Sequence, residues 1–107
     1  MKKILDRLED FDKRHGWDGY NNIKDNKERL NLLQEDILNL LGELGELANE
    51  VKKCRRDDVY NQEKLNEETI DVFIFLLKIT KILDIDIEEE FNKKMDLNEK
   101  RFVRHLK

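Results

Sequence analysis

The chain has 107 residues, 43% of them charged and 7% aromatic, with a formal net charge of −4. That length suits about one domain with a modest core, too small for a deep catalytic cleft of its own, so a partner subunit is expected. Acids and bases are interleaved, which leaves no basic stripe to track a nucleic-acid polymer; the periodic clustering of apolar residues, no proline and four glycines mark a folded helical chain, not a disordered polyelectrolyte.

In chain order, Ile4, Leu5, Leu8 and Phe11 recur at helical intervals and predict a short amphipathic helix over 2–14, ending near Gly16. "GWDGYNNIKDN" has the composition of a loop and carries Trp17 and Tyr20. A second helix is expected over 26–53, where Leu30, Leu33, Ile37, Leu40, Leu44, Leu47 and Val51 alternate steps of three and four as a continuous packing seam. "CRRDDVYNQ" reads as a charged connection to a third helix over 62–83. That helix is apolar all round, with Val72, Phe75, Ile79 and Leu83 on one side and Ile70, Ile74 and Leu77 on the other. Burial on every side needs more than one such chain, so the spacing predicts an oligomer with this helix at its centre. A last helix over 86–105 is expected to turn Ile87, Phe91, Met95 and Phe102 inward. No repeat or long linker divides residues 1–107, which are read as a single domain.

The lone Cys54 can form no intrachain disulfide or zinc-binding thiolate cluster, which points to a reducing, cytoplasmic setting. "MKKILDRLEDF" is interrupted by acids before a signal-peptide core can form, and no run is long and uncharged enough to span a membrane.

The chemistry lies in acids placed against the oily faces. Glu43, Glu46 and Glu50 form a ridge beside the leucine seam, extended by Asp36 and Asn39, while Glu68 falls inside the apolar stripe of the third helix and Asp71 at its border. With 25 acidic residues in 107, a single Glu-x-x-Glu pair arises by chance and marks a solvated face. Two acidic pairs on the two most hydrophobic helices are another matter, because packing those helices together sets carboxylates against one another. A hard divalent cation relieves that cost, and oxygen ligands without His or Cys suit Mg²⁺ or Mn²⁺. Di-iron bundles need a Glu-x-x-His motif; His15 and His105 lie outside both central helices, so that class fails.

"RHGWDGY", "ELGELANEV", "EETIDVFIFLLKITKILDIDIEE" and "KMDLNEKRF" together resemble the MazG-like, all-α nucleoside triphosphate pyrophosphohydrolases, over residues 11 to about 102. The resemblance implies an all-α bundle of about four helices completed by oligomerisation as a homodimer or homotetramer. It implies Mg²⁺ held by Glu43, Glu46, Glu68 and Asp71, with phosphate or nucleoside contacts from Lys94, Asn98 and Arg101 and stacking of Trp17 on the base. Gly42 stands where family members often carry a further Glu, and the "CRRDDVYNQ" loop bears no family signature. The expected activity is Mg²⁺-dependent hydrolysis of a nucleoside triphosphate to the monophosphate and pyrophosphate. Glu43 or Glu46 would orient the attacking water, and Lys94 and Arg101 would face the departing pyrophosphate. The alternatives are a helical interaction module with solvated acids and an inactive relative that binds nucleotide.

Overall fold

The computed structural model describes residues 1–102, and among these the fold is all-α. Helix α1 spans Lys2–His15, a 3-10 turn Gly19–Asn22, α2 Asn26–Asp57, α3 Gln62–Ile82 and α4 Ile87–Phe102. Residues 103–105 of the expected last helix, with His105, lie outside the described residues.

Local chemistry sets the boundaries. Gly16 closes α1 in the left-handed conformation (φ 71°), so its own N–H and that of Trp17 return to the Lys13 and Asp12 carbonyls at 3.2 and 2.8 Å. Asp25 opens α2 by accepting the Glu28 N–H at 2.8 Å, while Glu28 accepts the Lys24 N–H at 3.3 Å. Asn61 and Asp86 play the same part for α3 and α4, accepting from Lys64 and Glu89, each at 3.1 Å. The connection expected from "CRRDDVYNQ" is partly helical, because α2 continues to Asp57. Arg55 and Arg56 favour the extension, since cations suit the carbonyl end of a helix. It stops where Asp58 turns left-handed (φ 52°) and returns its N–H to the Cys54 carbonyl.

Helices α2 and α3 form an antiparallel hairpin. Glu43 lies opposite Glu68 and Asp71, Asp36 and Asn39 lie across a cleft from Phe75 and Lys78, and the Arg29 guanidinium donates to the Ile82 carbonyl. The leucine seam divides in two. Leu33, Leu40 and Leu47 are half-buried on the Glu43 side, whereas Leu30, Ile37, Leu44 and Val51 are 41–62% exposed. Positions three apart on a helix point ~60° away from each other, and one partner helix centred on the acidic side leaves the second series open.

Leu77, assigned by its spacing to the side of α3 opposite Phe75, is 3% exposed inside this chain, in the angle between α1 and α3, while Ile70 stays exposed. The inward face expected on α4 is not covered: the helix packs extensively against no other element, and Phe91, Met95 and Phe102 are exposed. Among the described apolar residues only Leu77 and Ile82 are fully buried. The radius of gyration is accordingly 17.3 Å, against about 13 Å for a compact chain of this length.

A polar knot fastens α1 and the 3-10 turn to α3. Asp12 is wholly buried; one carboxylate oxygen accepts the Tyr20 hydroxyl at 2.8 Å, and the other lies 3.3 Å from the Lys78 ammonium, itself 14% exposed. Burial and the Asp12 charge push the Tyr20 hydroxyl far above its ordinary range, which keeps it a donor. Lys81 reaches Glu9 at 3.4 Å on the neighbouring turn. Asp12→Ala strands the Lys78 charge and is expected to cost about 3–5 kcal/mol in a thermal or denaturant melt. Asp12→Asn, which still accepts from Tyr20, should cost less.

Candidate active site

The α2–α3 register assembles the acidic site. Oxygen atoms of Glu43, Glu68 and Asp71, one from each, lie within 4.8 Å of one another. Glu68 is 7% exposed; one of its oxygens is 3.4 Å from the Lys64 ammonium, one turn back on α3. Its other oxygen and one oxygen of Glu43 are buried without a hydrogen-bond partner. Burial, followed by the charges of Glu46, Asp71 and Glu68, pushes the Glu43 carboxyl above its ordinary range. In the same cluster the hydrogen bond and charge of Glu68 raise the Lys64 ammonium. Two orphaned buried oxygens beside a third carboxylate are what a hard cation satisfies, so the donor set fits Mg²⁺ or Mn²⁺. Glu46 is exposed next to Glu43 and is the one member of the expected quartet outside the cluster.

One turn from the acids on both helices lies a cleft of about 380 Å³, lined on α2 by Asp36 and Asn39, on α3 by Phe75 and Lys78, and by Trp17 from the loop after α1. Trp17 is 57% exposed, with its ring stacked on His15 at 5.0 Å. The Lys78 ammonium stands 5.6 Å from the Trp17 ring and 5.4 Å from that of Phe75. Burial raises the Asp36 carboxyl, against the lowering effect of its hydrogen bond with Asn39 and of Lys78. Trp17 and Phe75 give the cleft aromatic surface, and Asp36, Asn39 and Lys78 give it polar groups. Trp17 thus lines the cleft next to the acids. Lys94, Asn98 and Arg101 do not join the site within one chain, because α4 packs extensively against neither α2 nor α3. The Arg101 guanidinium stands 5.4 Å from the neighbouring Phe102 ring.

Sequence reasoning passed over Lys78 and Asp12. The signal for Lys78 was a lone cation in the run "DVFIFLLKI", where an unpaired charge would be untenable. Its partner on α1 could not be read from spacing, since 66 residues separate them.

An all-α hairpin with carboxylates clustered across its seam, beside a cleft lined by Trp17 and Phe75, is consistent with the MazG-like nucleoside triphosphate pyrophosphohydrolase superfamily. A protein-family model described as dUTPase matches residues 2–106, and the chain belongs to that family. No curated protein and no solved structure is significantly similar to it. Among the described residues no helix is long and apolar enough to cross a membrane.

The raised Glu43 carboxyl makes metal-free stability pH-dependent. In the fold this group keeps its proton to higher pH than the unfolded carboxyl near 4.5. Its contribution is therefore complete below that value and lost as pH rises through the raised pKa. Asp36 acts in the same sense. Melting temperature without metal is expected to fall as pH rises from the ordinary carboxyl range toward neutrality, and Glu43→Gln should flatten the slope. Saturating Mg²⁺ should raise the melting temperature most at the upper end of that range, because it binds the folded, ionised cluster.

Proposed function

We propose that this protein hydrolyses deoxyuridine triphosphate to the monophosphate and pyrophosphate in a Mg²⁺-dependent reaction. The observation that carries the reading is the pair of orphaned buried oxygens of Glu43 and Glu68, drawn together with Asp71. Family membership supports hydrolysis of a nucleoside triphosphate, and the family's description supports the uracil nucleotide.

Glu43, Glu68 and Asp71 would hold the metal, with Glu46 joining by rotation of its exposed side chain. When bound there, a divalent cation supplies neutralisation of the triphosphate charge and a lowered pKa for water. The chain's own part is to orient and accept. Glu43 or Glu46 takes the proton of a water whose oxygen bonds to the α-phosphorus, while the bond from that phosphorus to the α,β-bridging oxygen breaks and pyrophosphate departs. Trp17 and Phe75 confine the base in the adjoining cleft. Lys94, Asn98 and Arg101 would meet the pyrophosphate when α4 of one copy lies against the acidic site of another.

That arrangement asks for a homodimer or homotetramer. The exposed series Leu30, Ile37, Leu44 and Val51 repeats every seven residues along α2 and is suited to a second copy of the helix. The same series supports the second reading, an assembly module, and the two readings part on metal dependence.

Asp71→Asn deletes a ligand charge at an exposed position and little volume. Pyrophosphate release from dUTP with Mg²⁺ is expected to fall by more than the roughly 10–100-fold that follows loss of a group merely orienting a ligand. Its helical circular dichroism should match the wild type, and Glu50→Gln, beyond the cluster, should be much milder. An Asp71→Asn variant turning over at the wild-type rate would remove the site from these acids.

Ile37→Glu tests assembly. The side chain is exposed within the chain, so folding of one hairpin survives the charge, whereas an apolar helix seam does not. Sedimentation velocity at micromolar concentration is expected to show a dimer or larger species for the wild type and a shift to smaller species for the variant. A monomeric, active wild type would refute the oligomer.

A further inference from the structure

We propose that Lys78 is the residue that selects the base: its ammonium donates to the exocyclic carbonyl opposite the glycosidic bond, admitting a 4-oxo pyrimidine and turning away a 4-amino one. The inference rests on the nucleotide-hydrolase reading and concerns the other end of the ligand.

Lys78 lies seven residues beyond Asp71 on the same side of α3, ~10 Å along the helix axis. A nucleotide held at the acids by its phosphates and lying in the cleft presents the base edge remote from the sugar at that distance. On a pyrimidine this edge carries position 4. The Lys78 side chain is 14% exposed and lines the cleft together with Trp17 and Phe75, its ammonium standing 5.6 and 5.4 Å from their ring centroids. Its approach to Asp12 is ionic and leaves that carboxylate oxygen without an aligned hydrogen bond, although the two atoms are 3.3 Å apart. An ammonium has three donors and no acceptor, so protons remain for a ligand carbonyl and nothing can receive an exocyclic amine.

The chain secures this donor at some expense. Asp12 is buried completely, and its second oxygen is occupied by Tyr20, which fixes the carboxylate and through it the lysine. Beside Lys78 the Asn39 amide can accept the ring N3–H of a 4-oxo pyrimidine. Glu35 and Asp36 also line the cleft, and as acceptors they would suit a 4-amino base; the proposal holds that the desolvated ammonium dominates.

Trp17 is the single tryptophan, so its fluorescence reports the cleft without turnover. Titrations with dUMP and dCMP are paired with kcat and KM for dUTP and dCTP. The wild type should bind dUMP about tenfold or more tightly than dCMP, the loss expected when a buried polar group goes unpaired. Asp12→Asn/Lys78→Met removes both charges together and leaves an acceptor for Tyr20, so it should melt near the wild type. In it the preference should vanish, dUMP affinity should fall about tenfold, and dUTP turnover should change more in KM than in kcat. Lys78→Gln, which both donates and accepts, should narrow the preference and serves should the double variant fail to fold. A folded double variant that keeps the wild-type preference would reduce Lys78 to a counter-ion for Asp12. A wild type that favours dCMP would give the choice to Asp36 and Glu35, and fluorescence unmoved by either nucleotide would remove the base from this cleft; both overturn the proposal. The catalytic reading fails separately, by absence of pyrophosphate release from any nucleoside triphosphate with Mg²⁺, and a Lys78-dependent dUMP preference would survive that failure.

Discussion

Three carboxylates meeting across the α2–α3 seam are the constraint on which the rest of the molecule turns. Like charges in contact oppose the packing that brings them together, and burial raises the cost. Helix hairpins avoid this by turning acids outward, and α2 had room to do so, since its adjoining, uncovered side carries Leu30, Ile37, Leu44 and Val51 in the open. Instead Glu43 faces α3 on the side of the half-buried Leu40 and Leu47, while a second apolar series stays in the open. A lysine on the same helix relieves Glu68 in part, because Lys64 pairs with one oxygen and leaves the other buried and unsatisfied. On the proposed reading, the unrelieved remainder is where a cation would bind.

A second ionic arrangement solves the same problem by the opposite route. Asp12 is wholly buried and the Lys78 side chain nearly so, yet each supplies the other's counter-charge from within the chain, and Tyr20 donates to the second carboxylate oxygen. The closed pair holds α1 and its loop to α3, and so sets where Trp17 stands relative to Phe75. One helix therefore carries, two to three turns apart, a charge paired within the chain and charges set against one another. This division is why the cleft can be preformed while the acids stay under mutual repulsion.

Helix number, class and the acids were legible in the sequence because each is a matter of local period: 3.6 residues per turn determines which side chains share a face. Period alone does not say how many faces a partner covers. Leu30 to Val51 and Leu33 to Leu47 obey one alternation of three and four, and only the position of α3 separates them into open and covered series. Leu77 shows the same limit, since an all-round apolar helix gives no hint that α1 takes that side. Glu43, Glu68 and Asp71 were reachable because charge beside an oily stripe is anomalous on its own helix. Lys78 was anomalous in the same way, but its meaning depends on Asp12, across a loop that carries no periodic signal.

The thin interior bears on what the fold is for. Two fully buried apolar residues among those described, and a radius of gyration of 17.3 Å, are far from a self-sufficient core. The uncovered apolar surface is not scattered: one part is the heptad series of α2, the other the Phe91, Met95 and Phe102 face of α4. Along α4, Asn98 falls between Met95 and Phe102 on that same stripe, with Lys94 and Arg101 at its edge. Docking the stripe by its apolar groups necessarily carries one amide and two cations into the interface. A purely structural contact gains nothing from them, because buried polar groups must find partners or weaken it. On the proposed reading, an interface that ends at a phosphate-bearing ligand would supply those partners and tie assembly and substrate recognition to a single helix face.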